Sequence, residues 1–224
     1  MKFFTDGSVA FMKWPWWLTN MRKYKGKVPN YVKEALVDPC VSDLLTSNEY
    51  HWVGDINIVE FLNSLPENHF FSFDYPSDMN PKYEDLFLMK SWDNACRYNW
   101  HPQYITTVQG KFGQAWNYIE QFHKYNALEP DFLGLGNLCK HRSCNDFIKH
   151  TIGYIFKYSY AKRIHIYGLC KDAIPYCYKL AKKFKIDFSI DQEKWQYLRP
   201  SKLRAQDFKL YLIDLIDKGV RFEL

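Results

Sequence analysis

Three aspartates each close a run of β-forming residues: Asp43 in VDPCVSD, Asp74 in HFFSFD and Asp191 in KIDFSID. Other runs of the same kind end in Gln109-Gly110 (QYITTVQG), Gly134-Leu135-Gly136 (DFLGLG) and Tyr167-Gly168 (KRIHIYGL). Taken singly, an aspartate after a strand serves as a turn former or a helix N-cap, and a glycine there tolerates positive φ. Three carboxylates gathered at one mouth would repel one another unless the site used them. Such a set supplies a nucleophile, a proton donor and a hydrogen-bond reader of a polar ring. His165 alternates with Ile164 and Ile166, so it faces the other side of its strand, either as a satisfied interior histidine or as a site residue.

Other chemistries find less footing. The chain has no Gly-rich phosphate loop, no GxGxxG, no Walker pattern and no HExxH. Cys139, His141 and Cys144 in CKHRSC offer two thiols and an imidazole, but no fourth ligand is near and the spacing matches no standard zinc site. Neither a metal nor a cofactor is expected. The six cysteines are spread without a CxxC pair, which fits reduced thiols. Thirty basic against 25 acidic residues give a net charge of +5, compatible with a polyanionic partner without requiring one. The cluster MRKYKGK, with Lys25 and Lys27, is either a solvated loop or a phosphate contact. No stretch approaches the ~18 consecutive apolar residues of a membrane span. The N-terminus lacks the apolar region and cleavage site of a signal peptide. A cytoplasmic protein with no membrane partner is expected.

The elements that must carry these residues alternate. After the β-like run ending at Asp43 comes a helical pattern, INIVEFLNSL. HFFSFD precedes a long polar-faced segment from about Asn80 to Asn99. QYITTVQG leads to a helix with Ala115, Trp116, Ile119 and Phe122 on one broad face, and DFLGLG to one with Phe147, Ile148, Thr151, Ile152 and Ile155. KRIHIYGL leads to Asp172 as an N-cap and a helix carrying Ile174, Cys177, Tyr178, Ala181 and Phe184. After KIDFSID a last helix starts near Pro200 and Ser201 and stops at Gly219. Repeated β-α alternation implies parallel strands with crossover helices. The pattern holds about seven strands, with an eighth in the first ten residues or in the Trp14–Trp17 region. The expected fold class is α/β, a compact or incomplete (β/α)₈ TIM-type barrel formed by residues 1–224 as a single domain, with the strand ends above on its active-site face.

The ordered motifs FFSFDYPSD, TTVQGKFGQAWNYIEQF, FLGLGNLCKHR, RIHIYGL and FSIDQEKW resemble the tRNA-guanine transglycosylase superfamily, most closely the branch that inserts 7-deazaguanine bases into DNA. The likeness runs from about Val37 to Trp195, roughly seven-tenths of the chain. It implies a (β/α)₈ enzyme that exchanges a purine on a nucleic acid without breaking the backbone. On that resemblance Asp191 matches the nucleophilic aspartate. Asp74 matches the residue that binds the amidine edge of the purine, and Gln109 with Gly110 the element that addresses its carbonyl. Gly134 and Gly136 match the strand end that lets backbone reach the base, and Asp43 the candidate acid/base. The sequence departs from the family after Asp43, where Leu44 and Leu45 stand in place of Ser-Gly-Gly. The family's zinc-binding cysteines are not recognisable either, and an appended RNA-binding domain is not expected.

The chemistry so implied starts with Asp191 forming a glycosyl adduct at C1′ while Asp43, or a water it holds, protonates the departing guanine. Asp74, Gln109 and His165 would border the base. Lys140, Arg142, Lys202 and Arg204 are candidate contacts to the backbone of DNA or tRNA, and the target base must be flipped or single-stranded. Trp14–Trp17 could stack on a base, but packing in the core across the barrel's first helix is the expected role. The resemblance also admits a homodimer. Two alternatives stay open: a nucleoside-directed enzyme with paired carboxylates, and a barrel that binds purine without catalysis.

Overall fold

The computed structural model describes residues 1–5, 13–21, 24, 26, 28–39, 57–77, 81–138, 143–191 and 204–223. Eight parallel strands form one sheet: β1 (Lys2–Phe4), β2 (Trp16–Asn20), β3 (Glu34–Asp38), β4 (His69–Ser72), β5 (Tyr104–Val108), β6 (Phe132–Leu135), β7 (Arg163–Ile166) and β8 (Asp187–Asp191). Their order is β1-β8-β7-β6-β5-β4-β3-β2. The edge strands β1 and β2 meet through a parallel bridge between Thr5 and Trp17, where the Leu18 N–H donates to the Thr5 carbonyl at 2.8 Å. The sheet is thereby a nearly closed barrel of the (β/α)₈ TIM type.

Among the described residues six helices alternate with the later strands: α1 (Ile58–Ser64), α2 (Glu84–Tyr98), α3 (Ala115–Asn126), α4 (Asp146–Tyr158), α5 (Ile174–Phe184) and α6 (Arg204–Asp217). Local chemistry sets their ends. The Asn57 side chain accepts from the Glu60 N–H at 3.1 Å and Asn145 from the Ile148 N–H at 3.0 Å, each filling an orphan donor of a first turn. α5 has proline in its first turn and ends on Lys185 in the left-handed region. The barrel strands are buried on both faces, which explains their near-continuous apolar runs, such as Ala35-Leu36-Val37. Ile148, Ile152, Ile155, Ile174 and Cys177 cover them from outside, each fully buried.

Several sequence expectations change. Both candidate regions for the eighth strand supply one, β1 from the first ten residues and β2 from the tryptophan-rich stretch. Trp14 and Trp16 are buried, and the Trp14 indole N–H donates to the Phe3 carbonyl at 2.7 Å, so this stretch packs in the core as a strand. β3 ends at Asp38 rather than at Asp43, because Pro39 has no N–H to continue a ladder; Asp43 lies outside the described residues. Asp172 sits inside a short 3₁₀ turn, Lys171–Ala173, that precedes α5, so it is not the N-cap of that helix. On α3 the buried face runs through Tyr118, Phe122 and Tyr125, which leaves Trp116 81 % exposed on the far side. No described helix is long and apolar enough to cross a membrane.

At the amino ends of the strands lies a ring of ion pairs. Lys2 bridges Glu34 and Asp187, both at 2.8 Å, and Arg163 pairs with the same two carboxylates, reaching Asp187 at 3.5 Å. These are the first residues of β1, β3, β7 and β8. The Arg163 guanidinium also lies between the rings of Phe70 and Phe132, 4.3 and 4.2 Å from their centroids. Because β3 and β7 are not neighbours, the Arg163–Glu34 pair spans the lumen and plugs it from below.

Candidate active site

The opposite, carboxyl ends of the strands carry the predicted site. Asp191 is the last residue of β8, Gln109 the first after β5, Gly136 the first after β6, and Tyr167-Gly168 follow β7. Asp74 lies two residues beyond β4. Its loop is pinned on both sides by α2: Asn94 donates to the Phe73 carbonyl at 3.0 Å, and the Tyr75 N–H donates to Ser91 Oγ at 2.8 Å. These bonds fix the backbone on either side of Asp74.

Gln109 Nε2 donates to Asp74 Oδ2, so two of the proposed base readers touch. Burial pushes the Asp74 carboxyl up to about 6, and the nearby Asp38 carboxylate adds to the rise against the opposing bonds from Gln109 and Ser72. Asp38 is thus the acid that the fold brings to this mouth at the end of β3. Its signal in the sequence is the apolar Ala35-Leu36-Val37 run cut short by Pro39. Gln109 is itself buried, and its Oε1 accepts no hydrogen bond within the described residues.

Two groups meet one oxygen of Asp191. Its Oδ1 accepts from the Gly168 N–H at 2.9 Å and lies 3.2 Å from His165 Nε2. His165 is fully buried, and its Nδ1 lies 3.0 Å from Ser189 Oγ. The rings of Phe4 and Tyr167 flank it edge-on, 5.7 and 4.5 Å away between centroids. Burial raises the pKa of the Tyr167 hydroxyl well above the ordinary value, and the Asp74 and, less, the Asp191 carboxylates add to the rise. Both acids thus lie near Tyr167 at the carboxyl ends of the strands.

The glycines make room for the protein's own side chains. A Cβ on Gly136 would lie 2.2 Å from Gln109 Nε2, so this glycine makes room for the amide that reaches Asp74. A Cβ on Gly134 would meet Thr107 Oγ1 at 2.5 Å and the Tyr167 ring at 2.9 Å. One on Gly110 would strike Tyr118 at 2.6 Å, so its absence lets α3 pack close behind the site. Each gap is filled by a side chain of the protein itself. The strand ends are further tied together by Asn137, which donates to Ser77 Oγ at 2.7 Å and to the Gly110 carbonyl.

Asp43, Lys140, Arg142, Lys202, Cys139, His141, Lys25 and Lys27 lie outside the described residues, and Arg204 opens α6. Sequence reasoning missed Asp38 and Ser189, both of which the barrel register delivers to the mouth or just beneath it. A recess of about 660 Å³ lies outside the barrel between α2 and α3, bordered by Met89, Trp92, Lys111 and Lys124. Comparison of the chain with protein-family models, with curated proteins and with solved structures found no match.

Proposed function

We propose that the protein exchanges a guanine-type base on a nucleic acid, DNA before tRNA, for a 7-deazaguanine through a covalent aspartyl intermediate. The observation that carries this reading is the pairing of Asp74 with Gln109 at the same mouth as a carboxylate, Asp191, held through one oxygen. A carboxylate beside an amide matches the N–H and carbonyl edge of a guanine ring, whereas adenine would leave buried groups unmatched. Asp191 Oδ2 attacks C1′ as the bond from C1′ to the base nitrogen breaks, and an acid delivers a proton to the departing ring. Asp38 is the described candidate for that acid, with Asp43 the alternative from the sequence. In the second half the incoming base returns its ring proton to the acid, attacks C1′ and frees Asp191. Two inversions restore the original stereochemistry.

Incubation with labelled guanine and a guanine-containing oligonucleotide tests this directly. Label is expected to enter the polymer with the wild-type protein and to be lost with Asp191→Ala; entry that survives the substitution would remove Asp191 from the mechanism. A second reading, a purine-binding barrel without exchange, draws on the mutual bonding of Asp74 and Gln109 and on the filled spaces at Gly134 and Gly136. Calorimetric binding of guanine without label incorporation would select it.

A further inference from the structure

Beneath Asp191 lies a short chain of polar groups that the proposed exchange does not itself require: Ser189 Oγ, the His165 ring and Asp191 Oδ1, joined at 3.0 and 3.2 Å. His165 is completely enclosed and Ser189 almost so. A buried imidazole is held this way only when each nitrogen has a matching partner. The Gly168 N–H already donates to Oδ1, which marks that oxygen as an acceptor. With the carboxylate ionised, a bare lone pair on Nε2 would face negative charge, so Nε2 must carry the hydrogen. In the neutral ring Nδ1 is then the acceptor, and Ser189 Oγ–H is its donor.

We infer that Ser189 and His165 form a positioning relay that fixes the Nε2–H tautomer and, with Gly168, ties up Asp191 Oδ1 so that Oδ2 is the oxygen presented to the substrate. His165 acts through Asp191 and does not touch the reacting atoms. A carboxylate free to rotate would offer either oxygen over a range of angles; one pinned through Oδ1 offers a single in-line approach to C1′, a gain in orientation rather than in binding. The role of Ser189 follows from the same geometry. Without its hydroxyl the two tautomers compete, and only one of them holds Asp191.

The catalytic part of this inference rests on the exchange reading, whereas the tautomer does not. Long-range ¹H–¹⁵N correlation spectra of the wild-type protein, with His165→Gln used to assign the ring, should show His165 neutral and protonated at Nε2. Ser189→Ala should shift it toward the other tautomer. An Nδ1–H ring in the wild type would overturn the inference whatever the activity. In the exchange assay, His165→Leu should lower kcat about 10- to 100-fold, the worth of one hydrogen bond to a charged group, with KM for the polymer unchanged. His165→Gln, whose amide can still donate toward Oδ1, should recover most of that loss. Equal losses in Leu and Gln variants that melt like wild type would also overturn it. Correct tautomers with no wild-type exchange would sink the exchange reading alone and leave the relay standing.

Discussion

The two ends of the barrel use charge in opposite ways. At the amino end, two cations and two carboxylates alternate in a ring: Lys2, Glu34, Arg163 and Asp187. Every charge there has an opposite neighbour, and the aromatic rings of Phe70 and Phe132 sandwich the guanidinium. At the carboxyl end Asp38, Asp74 and Asp191 share one mouth, and the bonds to Asp74 and Asp191 come from neutral donors or an imidazole. The first arrangement holds the fold. The second leaves Asp74 buried beside another carboxylate with its charged form disfavoured, a contrast between the two faces of a parallel barrel.

Removing one charge should therefore have opposite consequences at the two ends. The largest effect is expected from Glu34→Ala, which leaves Lys2 and Arg163 sharing Asp187 and should lower unfolding stability by about 3 kcal/mol in urea melts. Replacing Arg163 with Met in the same chain should recover part of that loss, because the stranded cation is gone. Next comes Gly136→Ala. Its methyl would displace Gln109 from Asp74, so exchange should fall about tenfold, roughly 1.4 kcal/mol of barrel-mouth alignment, while the amino end is untouched.

The smallest and most telling change is Asp74→Asn. The folded-state pKa of Asp74, about 6, lies above its ordinary value of 3.8, so the folded protein holds this proton more tightly than the unfolded chain. The stability it contributes is full below pH 3.8 and is lost as pH rises through about 6. At pH 7 the asparagine variant should be more stable than wild type, by on the order of 1 kcal/mol, and should lack that pH-dependent loss. It should also exchange base poorly. A destabilised variant would mean that the mouth is balanced like the floor, and the contrast between the ends would fail.

The residues show how far the sequence alone could reach. From His69 to Asp191 the strands and helices follow their periodicities closely, because each buries one clear face or two. α3 misled only in direction: its core face is built on Tyr118 and Tyr125, whose hydroxyls disguise them as polar, so Trp116 was placed inward. At β3 the run VDPCVSD reads as continuous strand, and only Pro39 marks the break that makes Asp38, not Asp43, the strand-end acid. Asp74, Gln109, His165 and Asp191 were legible as strand-end or lumen-facing residues. Their partners were not, since the pairing of His165 with Ser189 follows from the β7–β8 register. The amino-end ring was wholly invisible. Lys2 and Asp187 stand 185 positions apart, and only barrel closure makes them neighbours.

The most direct test is to catch the intermediate. Wild-type protein is mixed with a guanine-containing oligonucleotide, quenched in acid or detergent without added base, and weighed intact before digestion. A species heavier than the protein by the oligonucleotide minus guanine, mapped to the peptide containing Asp191 and absent in Asp191→Asn, is the predicted result. Incorporation of labelled guanine without any such species, or an adduct on a different residue, would contradict it.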